Sequence, residues 1–168
     1  MAATWKNRHD SSDENQPNHL KSHGRSSEMN CAKPEAGLHK KFQDYLKEII
    51  AEFKEHGIRT SIFVDPKLEM IEGAKLCGTD RIELYTEDYA TKYVDDKEKA
   101  IAPYILAANK ASELCLEINA GHDLSLENLE FFAIEIPDLA EVSIGHALIS
   151  DALYLGLENA IQMYKRLL

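Results

Sequence analysis

The spacing of the hydrophobic positions changes near Leu38. Before it, the stretch NRHDSSDENQPNHLKSHGRSSEMN has few apolar residues and shows neither a period of two nor one of 3.6. After it, LHKKFQDYLKEIIAEFKEHG places apolar residues three and four apart on one helical face, and Gly57 ends the pattern. These patterns predict a disordered tail over residues 1–37 and an ordered region over residues 38–168 that begins with a helix.

Short β-branched runs alternate with longer helical patterns through the rest of the ordered region. Strands are predicted at IRTSIFVDP, DRIELYT, CLEINAG and AEVSIG. Helices are predicted at KLEMIEGAKLCG, DKEKAIAPYILAANKASEL, SLENLEFFAIEI and HALISDALYLGLENAIQMYKRLL, the last of which continues through Gly156. Strands separated by helices of this length run parallel and are joined by right-handed crossovers. We therefore expect an α/β protein whose strand carboxyl ends share one edge, where such folds bind ligands.

Two of the predicted strands end on the same dipeptide, Gly-His. In EINAGHDL, His122 follows Gly121; an imidazole there can donate or accept a proton at neutral pH, although an ordinary loop histidine gives the same pattern. In EVSIGHAL, Gly145 and His146 open the last helix. The first N–H groups of a helix attract anions, so this turn fits either a phosphate site or a tight turn that His146 caps.

Two carboxylates lie on the predicted strands. Glu83 is inside RIELY, where it faces water on an open amphipathic strand but is buried in a closed barrel or a sheet covered on both faces. A buried carboxylate has to be paired or functional, which makes Glu83 a candidate site residue. Asp65 ends its strand before Pro66 and fits a structural role in the first turn of a helix.

The charge of the chain limits the choice of partner. The formal net charge is 19 − 29 = −10, and residues 1–37 contain five basic and five acidic residues, so the whole negative excess belongs to residues 38–168. An acidic body argues against nucleic acid as the main partner, because phosphate contacts need clustered Lys and Arg. Small phosphorylated metabolites stay compatible, since backbone amides and helix N-termini can bind them locally.

The composition is that of a globular protein, and the lack of long apolar runs leads us to expect a cytoplasmic one. No apolar run reaches the roughly 18 residues that cross a bilayer, and no apolar signal core opens the chain. The three cysteines, Cys31, Cys77 and Cys115, form no CxxC pair and indicate reduced thiols. The tail histidines His9, His19 and His23 share no helix face, so we expect no metal site there and no metal or organic cofactor elsewhere.

Four phrases of the chain together resemble the pyridoxine 5′-phosphate synthase family. They are GIRTSIFVDP, GTDRIELYTEDYA, EINAGHDLSLENL and IPDLAEVSIGHALISDALYLGLENAI, in the order and spacing of the second half of that enzyme. The resemblance implies the second half of a TIM-type (β/α)8 barrel and an octameric assembly. It also implies condensation of 1-deoxy-D-xylulose 5-phosphate with 3-amino-2-oxopropyl phosphate, which yields pyridoxine 5′-phosphate, inorganic phosphate and water in vitamin B6 biosynthesis.

The resemblance also implies roles for five residues. His122 would be the proton donor, and Glu83 the glutamate that stabilises the transition state. Gly145 and His146 would bind substrate. Asp123 would take a substrate-binding position at which many relatives carry Gly.

The family's first-half motifs have no counterpart in residues 1–37, so we expect a truncated chain with impaired activity. Four strands taken from a closed barrel would leave two open edges and an uncovered apolar interior face. Two other functions stay open: a non-catalytic module that binds phosphorylated ligands, and a vestigial fragment that associates with full-length subunits.

Overall fold

The protein is an α/β structure built on one five-stranded sheet. The computed structural model describes residues 3–6 and 38–168, with side chains from residue 42 onward. The strands are β1 Ala3–Lys6, β2 Ser61–Val64, β3 Arg81–Tyr85, β4 Glu117–Gly121 and β5 Leu139–Ile144. The helices are α1 Leu38–Glu55, α2 Leu68–Cys77, α3 Glu87–Tyr93, α4 Lys97–Glu113, α5 Leu129–Glu135, α6 His146–Leu155 and α7 Leu157–Arg166. None of the helices in these ranges is long and apolar enough to span a membrane.

The sheet has the strand order β1-β5-β4-β3-β2. The strands β2, β3, β4 and β5 are parallel and adjacent in chain order, as half of a (β/α)8 barrel requires. This arrangement confirms the predicted α/β fold of parallel βα repeats. The carboxyl ends of these four strands therefore lie along one edge, which we call the C-terminal edge.

One face of the parallel strands forms the core together with the helices. Alternation along each strand turns every second residue toward the helices, and these residues are apolar and buried: Ile62, Val64, Ile82, Leu84, Ile118, Ala120, Val142 and Ile144. Burial of one such Ile or Leu side chain stabilises the fold by about 1.5–3 kcal/mol. The helices on this face are consequently the main source of stability for the sheet.

The opposite face of the same strands is mostly polar, with Phe63 and Tyr85 as its aromatic residues. Its side chains include Ser61 on β2, Arg81 and Glu83 on β3, and Asn119 on β4, and the last three are buried. The expectation of an uncovered apolar interior face is therefore wrong. The period of two explains the difference, because it assigns the apolar half of each strand to the helices and leaves polar groups for the interior.

The first strand, β1, belongs to residues 1–37, which the sequence predicted to be a disordered tail. Ala3–Lys6 pairs antiparallel with β5, with Ala3 opposite Ile144 and Lys6 opposite Glu141. A strand thus lies within the segment that was expected to be disordered, and it covers one of the two edges that were expected to be open. An unpaired strand edge offers a row of N–H and C=O groups to any extended segment, which accounts for the pairing. Residues 7–37 lie outside the described residues, and so do His9, His19, His23 and Cys31.

The helices differ from the sequence prediction in three places. The polar connection after β3 contains α3, which the prediction missed. Helix α5 begins at Leu129, four residues after the predicted start at Ser125. The last predicted helix is divided at Gly156, whose φ of 81° and ψ of 145° cannot continue a helix.

Candidate active site

The site begins where β4 passes close to β5. A Cβ atom on Gly121 would lie 2.0 Å from the carbonyl oxygen of Ser143, so only glycine fits this position. The N–H of the next residue, His122, donates a hydrogen bond of 2.9 Å to the same carbonyl. His122 adopts a φ of 68°, in the left-handed region, and the chain turns there. The close strand contact thus fixes the backbone that carries the imidazole at the C-terminal edge.

The imidazole of His122 contacts the carboxylate of Glu83. The Nδ1 atom lies 2.9 Å from Oε1 of Glu83, and 43% of the His122 side chain is exposed against 5% of the Glu83 side chain. Within the described residues, Oε1 accepts no well-directed hydrogen bond. The contact is therefore best described as an electrostatic one, which stabilises the protonated imidazole. The ring of Phe63 packs edge-on against the imidazole, with 5.5 Å between ring centroids.

Two further polar side chains hold Glu83 in place. The amide nitrogen of Asn119 donates a hydrogen bond of 2.8 Å to Oε2 of Glu83. The hydroxyl of Ser61 in turn donates a hydrogen bond of 3.1 Å to the amide oxygen of Asn119. The sequence places Asn119 near the carboxyl end of its strand, two residues before Gly121 on the same strand face, but the interpretation gave Asn119 no role and missed Ser61.

The carboxylate of Asp123 follows His122 directly. Burial raises the pKa of Asp123 above its ordinary value, and the negative charge of Glu87 adds to this effect. A hydrogen bond from Thr86 and the positive charges of His122 and His146 act in the opposite direction. The carbonyl oxygen of Gly121 is a second acceptor for the same Thr86 hydroxyl, whose single proton is shared between the two. Thr86 was not among the predicted site residues, although it ends the predicted strand DRIELYT and so lies at the same edge.

The second Gly-His pair opens α6. Gly145 precedes the helix, its carbonyl oxygen accepts from the N–H of Ile149 at 3.0 Å, and His146 is exposed. Apart from Gly145 itself and its two chain neighbours, no described residue has an atom within 4 Å of the place where a Cβ of Gly145 would be. The turn therefore leaves open space beside the first amides of a ten-residue helix. This space is compatible with an anion and is not occupied by a side chain that caps the helix.

The five predicted site residues do not all meet. The structure brings Glu83 and His122 into contact. The positive charges of His122 and His146 both act to lower the pKa of Asp123. Gly145 and His146 lie at the end of the neighbouring strand, and no direct contact of either with Glu83 is present.

Asp65, expected to be structural, binds the ammonium group of Lys67 at 3.2 Å. No cluster of three or more metal-ligating side chains occurs in the described part of the chain.

The fold and the site together define a protein of the parallel βα barrel class, with polar side chains gathered at the carboxyl ends of the strands. The family model described as pyridoxal phosphate biosynthesis protein PdxJ matches residues 28–168. The chain belongs to this family, as the quoted phrases predicted. The match begins before Leu38, where the resemblance was expected to start.

Individual relatives agree with the family match. The chain is 66% identical over 124 residues to a pyridoxine 5′-phosphate synthase of Flavobacterium johnsoniae, which covers 74% of this chain and 52% of that protein. It is 62% identical over 128 residues to the protein of the same name from Christiangramia forsetii, covering 76% of this chain and 54% of that protein. The chain spans about half the length of the curated relatives that it matches.

Proposed function

We propose that this protein acts as a pyridoxine 5′-phosphate synthase. The reaction would condense 1-deoxy-D-xylulose 5-phosphate with 3-amino-2-oxopropyl phosphate and release pyridoxine 5′-phosphate, inorganic phosphate and water. The observation that carries the proposal is the contact between Glu83 and His122 at the C-terminal edge, in a chain of a family whose relatives bear this name. A buried carboxylate beside a partly exposed imidazole is an arrangement suited to proton transfer.

In this proposal His122 is the proton donor. Loss of water requires a proton on the departing oxygen, and a protonated imidazole can supply it. The carboxylate of Glu83 at Nδ1 favours the charged imidazole, so the proton is delivered from Nε2 on the other side of the ring. Glu83 also stabilises positive charge that develops in the transition state, because its carboxylate is largely shielded from water.

Gly145, His146 and Asp123 bind substrate in the same proposal. A phosphate group would lie beside Gly145, where the first amides of α6 and the imidazole of His146 can donate hydrogen bonds. Asp123 would accept a hydrogen bond from a hydroxyl or amino group of the substrate.

We further propose that the protein works as a homo-oligomer in the cytoplasm. An alternative function is a non-catalytic module that binds phosphorylated ligands or associates with full-length subunits. The specific observation in its favour is the open space beside the first amides of α6, which does not involve the pair of Glu83 and His122. In that case the phosphate site at Gly145 would persist without turnover.

A synthase assay with both substrates tests the proposal, combined with size-exclusion chromatography and light scattering to give the oligomeric state. Turnover that is lost in His122→Ala and in Glu83→Gln supports the synthase. The exposed Ser150→Ala substitution on α6 is the control and is expected to keep full turnover. Absence of turnover at every protein concentration contradicts the proposal. Phosphate binding that weakens in Gly145→Ala, without turnover, then favours the binding module.

A further inference from the structure

The carboxylate of Glu83 is held from a second direction by residues outside the predicted site. Oε2 accepts the 2.8 Å hydrogen bond from Asn119, and Asn119 accepts the 3.1 Å hydrogen bond from Ser61. Ser61 belongs to β2, Glu83 to β3 and Asn119 to β4, so the chain of contacts spans three adjacent strands. It ends at Nδ1 of His122, 2.9 Å from Oε1.

Each hydrogen bond in this chain has a defined direction. A carboxylate oxygen only accepts, so the amide of Asn119 has to present its nitrogen to Glu83, because the reversed amide would set Oδ1 against Oε2. The Ser61 hydroxyl then satisfies the amide oxygen by donating its proton. Asn119 and Glu83 are both buried, so water does not readily replace a hydrogen bond that is removed.

The hydrogen bond from Asn119 to Oε2 also affects the position of the other carboxylate oxygen of Glu83, Oε1. With Oε2 bound, the carboxylate group is restrained from rotating about its last torsion, and Oε1 stays directed at the imidazole. Without Asn119 the buried anion would lose its hydrogen-bond donor and would take up a proton or turn away. In both cases His122 would lose the negative charge that stabilises its protonated form.

We propose that Asn119 and Ser61 are positioning residues that hold the Glu83 carboxylate against His122 and keep the imidazole ready to donate a proton. The inference rests on the proposed synthase function and assigns the side chains that support its proton donor. Neither residue is expected to touch the substrate, since both act through Glu83.

Other charged groups near His122 also affect its titration. Asp123 is the next residue and interacts with the charges of His122, His146 and Glu87, while Phe63 contributes an uncharged ring. Asn119 donates to Glu83 and accepts from Ser61, whereas the side chain and N–H of Asp123 are hydrogen-bonded to Thr86. Substitutions of Asn119 and Ser61 therefore change the carboxylate of Glu83 while leaving those neighbours in place.

Nuclear magnetic resonance titration of the histidine rings tests the proposal without requiring activity. The chain has seven histidines, and the resonance of His122 is the one that disappears in His122→Gln. Glu83→Gln is the reference variant, because it removes the whole negative charge of the carboxylate. It is expected to lower the pH at the midpoint of the His122 titration. Asn119→Ala is expected to produce at least half of that decrease, and Ser61→Ala a smaller decrease. Ser61→Thr keeps a hydroxyl and is expected to restore the parent midpoint.

A midpoint that stays at the parent value in both Asn119→Ala and Ser61→Ala would overturn the proposal. If Asn119→Ala does not fold, the pair Ser61→Ala and Ser61→Thr decides alone. Where turnover is measurable, Asn119→Ala is expected to lower kcat about tenfold with little change in KM, because the donor is misplaced while substrate contacts persist. A chain without turnover whose midpoints follow the prediction would refute the synthase and leave the positioning role intact.

Discussion

At the scale of single residues, the backbone contacts around His122 determine where its imidazole lies. Gly121 lets β4 approach the Ser143 carbonyl, and that carbonyl accepts the N–H of His122. The imidazole then meets a carboxylate that two neighbouring strands hold in position. The dipeptide Gly-His was enough to predict His122 as a candidate, because its position after a strand is visible in the sequence. The sequence placed Asn119 near the same strand end, but the roles of Asn119 and Ser61 were not predictable, because they depend on contacts across strands.

Asp123 gives a prediction of pH dependence at this scale. Its folded pKa is raised above the ordinary value of 3.8, so the folded state binds the proton more tightly than the unfolded chain. The free energy of unfolding therefore falls as the pH rises from 3.8 through the folded pKa and stays lower above it. Asp123→Asn, which is always neutral, is expected to be slightly more stable than the parent at pH 7. Urea unfolding at several pH values measures the difference.

The gain from Asp123→Asn should vanish below pH 3.8, where the parent carboxyl is also neutral. Asn keeps an oxygen that can accept the hydrogen bond from Thr86, so that contact is matched in the two proteins. A gain that is the same at every pH would show that burial of the charge is not its cause.

At the scale of elements, the sequence predicted what depends on local periodicity. The parallel strands and the helices α1, α2 and α4 follow from spacing, and Gly57 and Gly78 both adopt the positive φ that ends a helix. The break at Gly156 was missed, because the apolar pattern continues across it and a helical glycine is not rare. Strand β1 was missed, because four residues of pairing depend on the free edge of β5 and not on their own pattern.

Asp80 links three elements and gives a second prediction. One carboxylate oxygen accepts the N–H of Thr60 at 2.9 Å, and the other lies 2.9 Å from the ammonium group of Lys54 on α1. Burial acts to raise the pKa of Asp80, but these contacts outweigh it and the pKa is lowered from 3.8. Asp80→Asn is expected to lower the free energy of unfolding by about 1 kcal/mol at pH 7.

The sign of the pH effect at Asp80 is opposite to that at Asp123. A lowered folded pKa contributes stability above pH 3.8, and that stability is lost as the pH falls through the folded pKa. Parent and Asp80→Asn should therefore converge in acid. Thermal unfolding followed by circular dichroism between pH 2 and 7 measures this convergence. Curves that stay separated at the acid end would assign the effect to packing instead of charge.

At the scale of the whole molecule, ion pairs on the polar face join three strands. The guanidinium of Arg81 on β3 binds the carboxylates of Glu117 on β4 and Glu141 on β5. Arg59 reaches the same two carboxylates at 3.8 Å and 3.6 Å. The side chain of Arg81 is 6% exposed and that of Arg59 is 45% exposed, so the two arginines share partners but differ in solvation.

This difference gives a matched pair of substitutions. Arg81→Met is expected to lower the free energy of unfolding by about 3 kcal/mol, because it leaves the largely buried carboxylate of Glu141 without its nearest partner. Arg59→Met removes a solvated partner of the same carboxylates and is expected to cost less than about 1 kcal/mol. Urea unfolding of both variants tests the prediction. Equal losses would mean that burial does not set the strength of these contacts.

The chain of contacts from Ser61 through Asn119 and Glu83 to His122 has one more consequence for the molecule. Its members come from strands that pair in a fixed register, with Glu83 opposite Asn119. A slip of one residue between β3 and β4 would turn the two side chains to opposite faces and would leave the imidazole without its carboxylate. In the proposed synthase, a sheet paired in the wrong register would therefore lack a correctly placed proton donor.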